Sequence, residues 1–173
     1  MEMRLRKIYY FDKAILGYTL IELLIVIVIT AMLFGIGYTN YRQFARNQAL
    51  LATTNKIKAD IRLAQQLALT SDKPTVGCSV LSGYNFEIDT SLKRYHIHPV
   101  CNGVPLATEM KNEPIDSGVS TVTVSPATYN PIYFKILGQG TNIPSGGQVT
   151  ITLTQGVTGA TKTVVVTSSG EII

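Results

Sequence analysis

The chain has 173 residues, 15% of them charged, a formal net charge of +4 and two cysteines. Once an apolar segment near the start is set aside, this length allows one modest domain, and residues 74–173 suffice for a small β domain with its own core. The positive charge sits in the first 73 residues, whereas residues 74–173 carry five basic and six acidic side chains; a near-neutral head is a poor electrostatic footprint for nucleic acid, and no CxxC spacing offers a metal or redox motif.

Residues 1–17 form a leader in which Arg4, Arg6, Lys7 and Lys13 outnumber Glu2 and Asp12. An apolar run comes next: residues 23–38 contain no charged side chain, and residues 18–38 number 21. A bilayer core needs about 20 mostly apolar residues as a helix. Positive flanks stay cytoplasmic, so this order places the C-terminal part outside. Within the run lies one carboxylate, Glu22, which costs a few kcal/mol in an apolar helix and is usually retained for a reason. Gly35 and Gly37 weaken the helix near its outer end, by about 1 kcal/mol each against alanine; they mark either a place to bend or a place for close helix packing.

Everything from Tyr18 to about Thr70 reads as one helix, roughly 80 Å long at 1.5 Å per residue. Its second half is amphipathic: Phe44, Leu51, Ile57, Ile61, Ala64, Leu67 and Ala68 recur every three or four residues, which predicts an apolar stripe laid on a sheet. Ser71-Asp72-Lys73-Pro74 ends it, since proline disfavours the α conformation of the residue before it. Thereafter the pattern shifts to period two. Strands are predicted at 75–80, 84–89, 95–100, 119–124, 132–137, 148–153, 161–167 and 171–173, with breaks at Ser82-Gly83, Asn102-Gly103, Ser125-Pro126 and the later glycine clusters. Residues 103–118 lack periodicity and read as a loop. Many short strands with regular turns suggest two small sheets rather than a parallel α/β layer. Cys78 and Cys101 each lie beside a predicted strand. A bridge between them is permitted if the head is outside the cytoplasm; two separate thiols are the alternative.

Residues 17–24, GYTLIELL, resemble the type IV prepilin signature G-[FY]-T-L-I-E-[LV]-L. The resemblance implies cleavage between Gly17 and Tyr18 by a membrane-embedded prepilin peptidase, N-methylation of Tyr18, which stands where the family more often has phenylalanine, and packing of the helix into a filament, with Glu22 serving assembly. Further along, Arg62-Leu63-Ala64-Gln65-Gln66-Leu67-Ala68, then Cys78, Gly83-Tyr84-Asn85-Phe86-Glu87-Ile88-Asp89, Ile132-Tyr133-Phe134 before Gly138, Ile151-Thr152-Leu153 and the final Val164-Val165-Val166 before Gly170 are similar to the outline of type II secretion H-type minor pseudopilins and the related T/U-type minor pilins, the GspH/FimT family. Glu171 replaces that family's usual arginine. The implied fold is α+β and pilin-like: a long N-terminal helix packed on an antiparallel β domain of two small sheets. Its parts are a cleaved leader (1–17), a transmembrane half of the helix (18–39), an amphipathic half (40–73) and an extracytoplasmic head (74–173).

No catalytic constellation is present. His96 and His98 would share one face of a strand, but two ligands do not make a metal site without a third. G-x-S-x-G is absent, and Gly138-Gln139-Gly140 reads as a turn because no helix comes after it. Tyr129, Tyr133 and Phe134 read as core and rim of a sheet. The expectation is a structural subunit with no cofactor, no metal and no enzymatic activity. It would be held by one span in the cytoplasmic membrane, N-terminus inside, before joining a pilus or pseudopilus. Its partners would be the membrane, prepilin peptidase and other pilins. A DNA-binding minor pilin for natural transformation is the alternative, supported by the basic half of the helix and opposed by the near-neutral head.

Overall fold

The computed structural model describes residues 17–173, so the basic leader lies outside the described residues, as does the charge asymmetry read from it. The chain divides into two units, Met1–Asn40 and Tyr41–Ile173. A single helix, α1 (Leu20–Thr70), supplies the described part of the first and opens the second.

In the first unit, α1 begins with a cap. The Thr19 hydroxyl accepts a hydrogen bond from the Glu22 amide at 3.3 Å, and Glu22 stands in the first turn. Thr19-x-x-Glu22 is the sequence of a capping box, and a carboxylate in the first turn complements the helix dipole. Residues Leu20 to Phe34 are exposed throughout, and this is the one helix among the described residues long and apolar enough to cross a membrane. The Thr30 hydroxyl, the other polar group of the run, donates to the carbonyls of Val26 and Ile27 at 2.8 and 3.0 Å. That bond satisfies the hydroxyl within its own helix, as an apolar surrounding requires. The backbone stays helical through Gly35 and Gly37.

In the second unit, α1 lays one stripe into the core: Leu50, Thr54, Ile57, Ile61, Ala64 and Ala68, all at most 3% exposed. This corrects the predicted stripe at its N-terminal end. Phe44 and Leu51 are exposed, and Leu50 and Thr54 take the inward positions, because the spacing back from Ile57 at 3.6 residues per turn passes through 54 and 50. Thr54 is tolerated there because its hydroxyl donates to the Leu50 carbonyl at 2.8 Å. The helix stops in a Schellman arrangement: Ser71 takes φ 53°, its amide reaches the Ala68 carbonyl at 3.2 Å, and the Asp72 amide reaches that of Leu67 at 3.1 Å.

Eight strands come after the helix: β1 (Leu81–Asp89), β2 (Arg94–Cys101), β3 (Val104–Pro105), β4 (Lys111–Pro114), β5 (Val119–Ser125), β6 (Ile132–Lys135), β7 (Gln148–Gln155) and β8 (Thr161–Thr167). They make two antiparallel sheets, one in the order β3-β2-β1-β6 with β4 also on β2, the other in the order β5-β7-β8. The inward faces of both sheets share one core with the helix stripe, centred on Tyr84, Phe86, Tyr95, Ile97, Ile132, Val149, Ile151, Leu153 and Val164. The fold is therefore α+β and pilin-like, as read from the sequence.

The structure corrects the predicted strand pattern in several places. Residues 75–80 are not a strand: Gly77 sits at φ 78°, and the segment has no ladder, only ties to the end of the β1–β2 hairpin. The break expected at Ser82-Gly83 is instead a bulge within β1. There the backbone passes so close to β6 that a Cβ on Gly83 would fall 2.2 Å from the Phe134 carbonyl oxygen, and the Tyr133 hydroxyl donates to the Ser82 carbonyl at 2.6 Å. β6 ends at Lys135 rather than at 137, because Leu137 turns to φ 54° before Gly138. The loop predicted at 103–118 contains β3 and β4, short edge strands whose side chains are mostly exposed and so carry no apolar alternation to read. The expected last strand survives only as a bridge, Val166 to Ile172, with Gly170 holding the Gln65 side chain through its carbonyl at 3.0 Å.

Candidate functional site

Two regions carry the residues singled out in the sequence: the N-terminal junction and one edge of the first sheet. At the junction, a Cβ on Gly17 would meet nothing within 4 Å among the described residues, Tyr18 is 82% exposed and Glu22 is exposed one turn into the helix. An exposed glycine–aromatic bond directly ahead of a capped apolar helix is an accessible peptide. The carboxylate beyond it projects from a surface that is otherwise hydrocarbon. Chemically, such a group can do one thing well: accept a cation or hydrogen-bond donor supplied by another molecule, because its own helix offers the side chain only the dipole. The capping pair Thr19 and Glu22 was legible as T-x-x-E but is not part of the apolar periodicity that draws the eye.

At the sheet edge, Cys78 and Cys101 form a disulfide with Cα atoms 5.4 Å apart. It fastens residues 73–80 to the end of the β1–β2 hairpin. The Lys73 ammonium donates to the Ser79 carbonyl at 2.9 Å, Ser79 and Asn102 exchange hydrogen bonds at 2.8 and 2.9 Å, and the Asn102 amide reaches the Val80 carbonyl. The Tyr84 hydroxyl donates to the Asp72 carbonyl, closing the same corner.

The helix and this sheet are also joined by a polar group that the periodicity analysis passed over. Asp60, 6% exposed, accepts from the Tyr95 hydroxyl at 2.5 Å and from the Lys111 ammonium at 2.6 Å. Burial pushes the Tyr95 phenol well above its ordinary range, and Asp60 adds to the shift by accepting its proton in a hydrogen bond. Beside it, Lys56 pairs with Glu113 at 2.8 Å and holds that carboxyl below the usual range. Asp60 is the one acid on the buried side of α1, and nothing but the arrival of β2 and β4 identifies its partners.

His96 and His98 lie on one face of β2, as their spacing requires, with rings stacked at 5.7 Å. The fold adds Glu109, from the turn before β4, whose Oε1 lies 3.0 Å from His96 Nδ1 and 4.0 Å from His98 Nε2. Burial opposes its charge, but Asn112 and the two imidazoles hold the carboxyl below the usual range.

Two family models match this chain. Residues 13–38 match the prokaryotic N-terminal methylation motif, and residues 53–170 match the type II transport protein GspH. No curated protein and no solved structure matches it. The methylation motif and the exposed apolar helix together fit a membrane-anchored, single-pass protein. The second match runs from the middle of α1, through the Asp60 network, the disulfide and both sheets, to the last turn at Gly170; the chain accordingly belongs to the GspH family, minor pseudopilins of the type II transport apparatus built on the type IV pilin plan.

Proposed function

We propose that this protein is made as a prepilin, cut after Gly17 by prepilin peptidase, N-methylated on Tyr18, and then built into or used to start a pseudopilus or type IV pilus. In this reading residues 1–17 are a cytoplasmic leader, 18–39 span the inner membrane, 40–73 bridge to the head, and 74–173 form the head on the far side. The role is structural and involves no catalysis and no cofactor. The observation that carries it is Glu22: a lone carboxylate in the first turn of the helix, within its exposed apolar stretch from Leu20 to Phe34 and four residues beyond Tyr18. In a filament core that carboxylate needs a cation. The amino terminus of Tyr18 in a neighbouring subunit supplies one, and breaking a buried pair of this kind costs about 3–5 kcal/mol.

Co-expression with a prepilin peptidase tests the cleavage step. Wild-type protein should lose residues 1–17 by mass, and Gly17→Val should keep them. Loss in both, or in neither, contradicts the proposal.

Binding of DNA for natural transformation draws less support. Lys56 is paired with Glu113 and Lys111 with Asp60, while Lys73 and Lys93 donate to the carbonyls of Ser79 and Val119. Cations spent in this way are not free to line a phosphate track.

A further inference from the structure

His96, His98 and Glu109 bring together the donor set of a transition-metal site. One ligand atom from each residue falls within 4.8 Å of the other two. In a tetrahedral zinc site, with bonds of about 2.0–2.2 Å, ligand atoms lie about 3.3–3.6 Å apart. The separations of Glu109 Oε1 from His96 Nδ1 and His98 Nε2, 3.0 and 4.0 Å, straddle that spacing.

The protonation pattern fits as well. His98 Nδ1 lies 3.1 Å from the Leu106 carbonyl oxygen. A carbonyl can only accept, so Nδ1 carries a hydrogen, and Nε2, on the side of Glu109, is the nitrogen left to bind a metal ion. Such a backbone anchor on the far nitrogen is the usual way a ligating histidine is oriented. His96 Nδ1 is shielded from solvent and makes no hydrogen bond of good geometry, although Glu109 is close. A buried ring nitrogen without a partner calls for an explanation. A divalent ion would take that nitrogen as a ligand and set its own charge against Glu109.

We propose that His96 Nδ1, His98 Nε2 and Glu109 Oε1 bind one Zn²⁺ ion, leaving the fourth position for water or a group from a partner. Two nitrogen donors and one carboxylate suit zinc and not calcium, which takes six to eight oxygens. The ion would clamp the turn before β4 onto the outer face of β2, opposite the face that Tyr95 and Ile97 bury in the core.

The chain has two histidines and its two cysteines are bonded to each other, so imidazole-dependent zinc binding has one place to occur. The test uses the full chain, free of any histidine tag, in detergent and stripped with a chelator. Zinc titrated against a chromophoric indicator should bind with one equivalent and a dissociation constant below about 10 µM. Both imidazole resonances should shift together in the NMR spectrum of the wild type, a readout that needs no variant. His98→Gln and Glu109→Gln should each weaken binding at least tenfold. Glu87→Gln, which removes the carboxylate across the ladder from His96, should change it less than twofold. Calcium at millimolar concentration should not compete. Absence of binding at 100 µM zinc, unshifted imidazoles, affinity unchanged in Glu109→Gln, or an equal loss in Glu87→Gln would each overturn the proposal.

Discussion

Replacing Asp60 by alanine should destabilise the unit from Tyr41 onward by about 3 kcal/mol. The carboxylate accepts from the Tyr95 hydroxyl at 2.5 Å and the Lys111 ammonium at 2.6 Å. Tyr95 is wholly buried, so its hydroxyl would be left without a partner and without water, a loss of about 1–3 kcal/mol. The Lys111 side chain is 28% exposed and can swing into solvent. Its share is therefore well below the 3–5 kcal/mol of a fully buried pair, and about 1 kcal/mol is appropriate. For a unit of this size the sum corresponds to a fall in Tm of roughly 10 °C. Urea unfolding of the released unit, followed by near-ultraviolet circular dichroism, measures it. Tyr95→Phe should itself cost about 1 kcal/mol and, having removed the orphan hydroxyl, should reduce the cost of Asp60→Ala by at least 1 kcal/mol. A loss under 1 kcal/mol in the single variant, or strict additivity in the double, would show that the network is not what ties α1 to β2.

Stability should also fall at alkaline pH. Burial raises the phenols of Tyr95, Tyr84 and Tyr133 in the folded state, so above about pH 10 the unfolded chain releases protons that the folded chain keeps. The stabilisation is complete below that pH and declines above it, and Tyr95→Phe should flatten the decline in a series of melts from pH 8 to 11. Glu22→Ala should insert into membranes at least as well as wild type, since it removes a charge from an apolar helix, yet be depleted from sheared filaments; equal recovery of the two proteins would remove Glu22 from the assembly step. Duplex DNA should bind the head more weakly than micromolar at physiological salt. Tighter binding that is lost at high salt and on charge reversal of Lys93 and Arg94 would favour the DNA-uptake reading instead.

How far the sequence could be read depended on the range of the physics involved. The N-terminal half is governed by local rules. An apolar run of membrane length, 3.6-residue spacing and a terminating Ser71 before Pro74 act within one helix, so the residues that carry them are neighbours in the chain. The strands whose burial alternates, β2, β7 and β8, were legible for the same reason: one face is apolar because it is buried. Where burial did not imprint a pattern, the reading failed. β3 and β4 are exposed edge strands, and residues 75–80 look β-prone yet are pinned by Gly77 and the ties at the hairpin end.

The sequence by itself determined the long apolar helix, its solitary carboxylate and the division of the head into short strands of two small sheets. Only the tertiary structure decided which residues meet across those sheets. Asp60 gains Tyr95 and Lys111 because β2 and β4 pair in a register that sets Ile97 opposite Lys111. The same pairing turns two histidines on a strand into a three-ligand cluster, by carrying Glu109 back across the strand from a turn that has no periodicity of its own. Hydrogen-bond register is a long-range property: it is fixed by the packing of both sheets on the stripe from Leu50 to Ala68, and no local spacing encodes it.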